Sequence, residues 1–227
     1  MQSQLRSRRW LLSLLLGLVP ALAAAQAPPP QVVLAFHMAV DADGRPTSLE
    51  PPPGLPASIG QTVDAWAKGL RFVPASIDGV PQASTTYLRV RFDTSDPNAV
   101  KLLSAMTGPG MVAGEFPPPP ENDAAAFFLV AFDPVGQVTG VEVDTAHSPM
   151  ASKKFTRWAE RYLRGFRFMP ETVASQPVAG RVRIPLLYCH RSRRCAAELP
   201  ELPGQPPVAS GEAIADSVLK PAAKTGE

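Results

Sequence analysis

The chain has 227 residues, a formal charge of +2 and 27 prolines. Arg6, Arg8 and Arg9 lie in the first 25 residues with no acid beside them, so the remainder carries 19 basic against 20 acidic residues. A chain that close to neutral has no general electrostatic pull toward nucleic acid, and a nucleic-acid partner is not expected.

Residues 1–25 have the pattern of a secretory signal peptide. Arg6, Arg8 and Arg9 form a basic region, Leu11 to Leu22 an apolar one, and Ala23 and Ala25 offer small residues ahead of a new start at Gln26. The competing reading is an uncleaved membrane anchor, but the apolar run is shorter than the ~20 residues a spanning helix needs and Pro20 interrupts it. Export implies an oxidising compartment, where Cys189 and Cys195, flanking His-Arg-Ser-Arg-Arg, are expected to form a local disulfide. A zinc site built on them and His190 lacks a fourth ligand.

Residues 26–31 are a proline-rich lead-in, and a first unit spans 32–93. Val32 to Val40 alternate, which predicts a strand with Leu34, Phe36, Met38 and Val40 toward a core. Asp41-Ala-Asp-Gly44 predicts a tight turn, and a second strand carries Thr47 and Leu49 inward. After the prolines of 51–56, Ile59, Val63, Trp66, Ala67 and Leu70 recur on one helical face. Gly69 ends the helix, Arg71-Phe72 starts a strand, and Asp78-Gly79 marks a hairpin. A last strand, Thr85 to Phe92, puts Leu88, Val90 and Phe92 inward and Tyr87, Arg89 and Arg91 outward.

Residues 94–124 read as a linker in which Asn98 to Met106 form at most one short helix. A second unit, 125–190, then repeats the first. Gly69, Arg71, Phe72, Pro74 and Pro81 recur 96 residues later as Gly165, Arg167, Phe168, Pro170 and Pro177, without a gap. Asp41, Gly44, Thr47 and Glu50 recur 92 residues later as Asp133, Gly136, Thr139 and Glu142, so four residues are inserted before the second helix. An internal repeat decides the architecture: two copies of one small unit. In the second copy Ala126, Phe128, Val130 and Phe132, then Thr139, Val141 and Val143, face inward, as do Val182, Ile184, Leu186 and Tyr188 on its last strand. Its helix face holds Phe155, Ala159, Tyr162, Leu163 and Phe166. Pro185 has no amide hydrogen to donate, which puts the last strand at or near a sheet edge. Residues 191–227 read as a disulfide-pinched tail, disordered beyond about Leu199. A unit this short is marginal alone, so the two are expected to pack together or to dimerise.

The order strand, Asp-x-Asp-Gly turn, strand, helix, Arg-Phe-x-Pro, Asp-Gly-x-Pro, strand resembles the C-terminal domain of the TonB family. The first unit carries the resemblance on Phe36, Val40, Asp43, Gly44, Leu49, Arg71, Phe72, Pro74, Asp78, Gly79, Pro81 and Phe92. The second carries it on Phe128, Phe132, Gly136, Val138, Val141, Arg167, Phe168, Pro170, Pro177 and Tyr188. The resemblance implies a periplasmic α+β protein, each unit an antiparallel sheet with one helix packed on it. It further implies docking on outer-membrane TonB-dependent receptors or other envelope proteins, which add a strand to an exposed sheet edge. The last strands are the candidate edges, with Tyr87, Arg89, Arg91, Arg181, Arg183 and Pro185 as binding residues. Val63, Trp66, Leu70, Ala159, Tyr162 and Phe166 are the helix residues that hold each unit together.

The family's transducers carry a membrane helix with a histidine, and residues 10–25 contain none. An energy transducer tethered by its leader is therefore the second reading, and a structural or assembly factor of the envelope the third. Ala174-Ser175 stands where the first unit has Asp78-Gly79, so an altered second turn is expected. Asp41-x-Asp43-Gly44 with Glu50 lacks the spacing of a calcium loop, and Gly108-x-Gly110-x-x-x-Gly114 misses that of a dinucleotide loop. His37, His147 and His190 are scattered and read as surface residues. No nucleophile–base pair, cofactor, metal or small-molecule substrate is expected, and the chain reads as a non-enzymatic protein-binding protein.

Overall fold

The structure, a computed structural model, describes residues 31–93, 101–118, 120–148, 151–190, 199, 214–215 and 217–221. The first unit runs β1 (Gln31–Val40), β2 (Pro46–Glu50), α1 (Ala57–Ala67), β3 (Phe72–Val73), β4 (Ala75–Ile77), β5 (Val80–Gln82) and β6 (Ser84–Asp93). The segment between the units supplies β7 (Lys101–Gly108) and β8 (Gly110–Val112). The second unit follows as β9 (Ala124–Phe132), β10 (Val138–Val143), α2 (Lys153–Arg164), β11 (Arg167–Met169), β12 (Thr172–Val173), β13 (Gln176–Pro177) and β14 (Gly180–Tyr188). The tail adds β15 (Ile214–Ala215) and β16 (Lys220–Pro221). This is a sheet-dominated α+β protein. Every strand pairing among the described residues is antiparallel.

Two cores form where the alternating strands meet the helices. Phe36, Met38, Val40, Val63, Ala67, Leu88 and Val90 fill one, and Phe128, Val130, Phe155, Ala159, Leu163, Phe166 and Ile184 fill the other. Burying such side chains stabilises by ~1.5–3 kcal/mol each. Trp66 and Leu70 are only half-buried at the rim of the first core, because α1 ends at Ala67 and Trp66 flanks the face that Val63 and Ala67 define. Tyr162 is likewise half-buried, and Trp158, which the helical reading omits, is 4% exposed and stacks on Phe155 and Tyr162.

Thr47 and Thr139 do not face inward; both are exposed. Each is the extra residue of a β-bulge, since Val40 pairs with Pro46 while Ala39 pairs with Ser48, and Phe132 pairs with Val138 while Ala131 pairs with Gly140. A bulge reverses the inward–outward alternation at that point, so Val138 packs on the core instead. The same bulge thus recurs at corresponding positions of the two segments.

The turn glycines explain why the Asp-x-x-Gly and Arg-Phe motifs travel together. Asp41 Oδ1 accepts from the Asp43 and Arg45 amides at 2.9 and 2.8 Å, and Asp133 Oδ1 from those of Val135 and Gln137 at 3.0 and 2.8 Å. The side chains thus hold the turns, and Gly44 and Gly136 take left-handed backbone at φ 76° and 81°. Each glycine carbonyl accepts the amide of Phe72 or Phe168 at 2.9 Å. A Cβ on either glycine would lie 1.9 Å from that phenylalanine's carbonyl oxygen.

The expected altered turn is absent. Ala174 and Ser175 take the same left-handed pair of conformations, φ 49° and 63°, as Asp78 and Gly79 at 50° and 79°. Without a glycine that geometry costs roughly 1–2 kcal/mol per residue, and tertiary contacts described below hold it in place.

Gly136→Ala and Gly44→Ala are each expected to destabilise by about 3 kcal/mol or more, combining left-handed strain with a backbone clash. Gly54→Ala, at φ 80° with open space around it, should cost only about 1 kcal/mol. Urea unfolding midpoints of the three variants measure the difference.

Candidate partner-binding site

The linker and the tail place the expected docking edges inside the molecule. The long sheet has the order β13-β12-β6-β1-β2, with β7 also on β6. The shorter one has the order β10-β9-β14-β15, and β8 pairs β11 while β16 pairs β3. The linker therefore extends the first unit's last strand with β7 and then crosses to the second unit's Arg-Phe strand with β8. The tail extends the second unit's last strand with β15 and crosses back to the first unit's Arg-Phe strand with β16. The two connections thus pair with the same kinds of strand in the same order.

Residues 101–108 are thus a strand, not part of a short helix, and the tail re-enters the fold well past Leu199. In the linker, Leu102 and Ala105 pack on the first core, which rewards the extended register over a helix. In the tail, Leu219 is buried in that same core.

Tyr87, Arg89 and Arg91 consequently sit on an interior strand, flanked by β1 on one side and β7 on the other. No partner strand can be added there while β7 is in place. Arg89 is 9% exposed, and Tyr87 donates to Met169 Sδ at 3.4 Å and packs against His37, with ring centroids 5.2 Å apart. Burial, with the nearby Glu50 carboxylate, pushes the Tyr87 phenol above its ordinary range. Arg181 and Arg183 are tied across β9 to carboxylates of the second unit, Arg181 to Glu142 at 2.9 Å and Arg183 Nε to Asp144 at 2.6 Å. Pro185 is buried opposite Phe127, itself fully buried, so both faces of this sheet are covered there. β14 does lie toward an edge, with only β15 beyond it. Cys189 is disulfide-bonded, and Cys195 lies outside the described residues.

His147 Nδ1 joins Asp144 at 2.9 Å, His37 Nδ1 lies 3.4 Å from Glu50, and His190 Nδ1 meets the Pro120 carbonyl at 3.1 Å. All three histidines are half-buried and engaged rather than open surface residues. The Ser148 hydroxyl accepts the Phe127 amide at 2.7 Å. That contact holds the inserted loop against β9. Among the described residues no group of three or more His, Cys, Asp or Glu is placed to hold a metal ion, and no helix is long and apolar enough to cross a membrane.

The residue that motif reading missed is Glu171, 5% exposed where the units cross. Its Oε1 accepts from the Thr86 hydroxyl of β6 and from the Ser217 hydroxyl at 2.6 Å, and its Oε2 from the Val218 amide at 3.0 Å. One carboxyl group thus binds the second unit, the first unit's last strand and the tail. Close by, Thr85 and Thr172 hydroxyls meet at 2.8 Å and the Ala174 amide donates to the Ala83 carbonyl at 2.9 Å. The repeat partner of Glu171 is Ala75. The signal was therefore a charged residue standing where the other copy has a small apolar one.

Among the described residues, the edges without a neighbouring strand include the outer sides of β2, β7 and β10, the β4–β5 hairpin, and the part of β14 that β15 does not cover. β2 starts at Pro46 and runs into Pro51-Pro52-Pro53, whereas Val135 to Ser148 around β10 contains no proline. Comparison with protein-family models, curated proteins and solved structures finds no match to this chain.

Glu171→Ala removes the acceptor shared by the buried Thr86 hydroxyl and the half-buried Ser217 hydroxyl and Val218 amide, and is expected to destabilise by about 3 kcal/mol, although alanine is what the other copy carries. The check is urea unfolding, together with faster proteolysis of the tail around Ser217. Asp144 gives the acid dependence. Burial alone would raise its carboxyl, but hydrogen bonds and charge from Arg183 and His147 outweigh that and hold it below the usual carboxylate range. A lowered native value means the stabilisation is complete above the unfolded value near ~3.9 and is lost as pH falls through the native one. The stability gap between wild type and Asp144→Asn should be widest at neutral pH and close in acid.

Proposed function

We propose that the chain is a non-enzymatic periplasmic protein-binding protein, made of two TonB-C-terminal-like units, which takes its partner by strand addition at the outer edge of β10. One observation carries the reading: the chain completes its own sheets by this mechanism, adding β7, β8, β15 and β16 from linker and tail and lending β12 to the other unit. After those additions, β10 is the longest proline-free edge strand among the described residues that the two units themselves supply, the longer β7 belonging to the linker. Backbone groups on such an edge supply affinity to any extended segment, and the flanking side chains supply selectivity. Here those side chains are Val141 and Val143, packed toward the core, and Glu142, exposed and bridged to Arg181. The partner is an extended segment of an outer-membrane receptor or another envelope protein, and the docking edge is separated from the arginine-bearing β14 by β9.

The test places a photo-crosslinking residue at Glu142, Ser48 or Tyr87 in cells exporting the full chain. Adducts with an envelope protein are expected from position 142 alone, with the exported chain beginning at Gln26. Adducts confined to position 48, or none from position 142, refute the β10 edge. An intact leader on the exported protein would instead favour the tethered transducer.

A further inference from the structure

The two-fold exchange between the units is incomplete at one contact. In the second unit the β12–β13 hairpin docks on the first unit's β6, with Thr172 opposite Thr85 and Val173 opposite Ser84. The repeat offset of 96 maps this contact onto Ser76 opposite Arg181 and Ile77 opposite Gly180, that is, β4 on the start of β14. That contact is not made among the described residues. β4 pairs only with β5, and β15 covers β14 only at Val182 and Arg183.

Both halves of the missing contact carry marks of it. Ile77 is 46% exposed where its counterpart Val173 is 9% exposed, and Val80 at 58% stands where the docked hairpin has the polar Gln176. The hairpin therefore projects two apolar side chains into water on either side of Asp78-Gly79. On the receiving side, a cleft of about 30 Å³ lies against Gly180 and Arg181, lined also by Pro109, Phe132, Glu171 and Val218. Gly180 brings no side chain, and the Phe132 ring occupies the position beside it, 2.5 Å from where a Cβ would be. An apolar residue opposite Gly180 would meet that ring. Where the docked contact has Glu171 and Thr86, the open one has Ala75 and Val182, an apolar pair in place of a polar one.

We infer that this chain self-associates, the β4–β5 hairpin of one copy docking on the Gly180–Arg181 edge of a second. The occupant is a second copy because the hairpin known to fit this type of edge is the chain's own. Among the described residues each molecule presents a hairpin and an edge of matching register that pair with no further strand, so two molecules satisfy each other reciprocally. The inference does not depend on the partner edge at β10, which lies on the other side of β9 from β14.

The experiment uses the full mature chain. Ser76→Cys and Arg181→Cys are made in separate molecules, each retaining the native cysteines, and are oxidised alone and mixed. Directly opposed antiparallel residues stand close enough for a disulfide. The expected result is a disulfide dimer in the mixture at least about tenfold above either variant alone. A concentration-dependent mass above the monomer should appear for wild type in sedimentation equilibrium between about 1 µM and about 1 mM. Ile77→Asp with Val80→Asp should abolish both while leaving the circular dichroism unchanged, since these side chains are exposed in the single molecule. A monomeric mass across the whole range overturns the inference. So does a double variant, with both cysteines in one chain, that closes within that chain.

Discussion

The carboxyl group of Glu171 is the point at which three separate parts of the chain become one structure. A buried polar group that misses its partners costs about 1–3 kcal/mol, so a site where every contact is a donor to one side chain is stable only as a set. Remove the tail and the Val218 amide and Ser217 hydroxyl go with it; move the first unit and Thr86 goes. Each unit alone is below the size at which a single core is comfortable. Glu171 and the neighbouring Thr85–Thr172 pair therefore do what a larger core would otherwise do, joining two small cores through a crossing point that tolerates no half-occupied state.

The crossing also accounts for the tail's return after a long excursion. A two-residue pairing such as β15 on β14 or β16 on β3 is too short to hold a chain terminus by its own hydrogen bonds. Leu219 supplies the missing free energy by filling the first unit's core between the two pairings, and Thr107 ties its carbonyl at 3.2 Å. The tail is thus a clasp with one apolar anchor and one polar one, set across the same boundary that the linker crosses in the opposite direction.

What the sequence made legible was local and periodic. The alternation in β1, β6, β9 and β14 named most of both cores, and the offset repeat of Gly, Arg-Phe and Pro falls on matching places along the chain. The Asp-x-x-Gly turn and the Arg-Phe strand were visible as motifs, although the 2.9 Å bond that joins them was not. The failures have physical causes. Thr47 and Thr139 alternate correctly on paper, but a bulge moves each off the face. Residues 101–108 have ambiguous local preference, and only their pairing with β6 makes them a strand. Phe127 and Pro185 alternate outward yet are buried, which no pattern within one strand can announce. The docking edges were misplaced for the same reason: whether a strand is an edge depends on what distant segments do.

The two hairpins show how local and tertiary terms substitute for each other. Asp78-Gly79 has the residues that a two-residue turn with positive φ prefers, and among the described residues its two strands pair only with each other. Ala174-Ser175 adopts the same backbone against its own preference, and there the Ala174 amide bond to Ala83, the β12 pairing on β6 and the Glu171 cluster supply what the turn lacks. A copy released from tertiary support keeps a self-sufficient turn, and a copy held in place is free to lose it. The ideal turn chemistry at Asp78-Gly79 keeps Ile77 and Val80 presented on a preformed strand pair, so that little ordering entropy remains to be lost when that hairpin meets an edge.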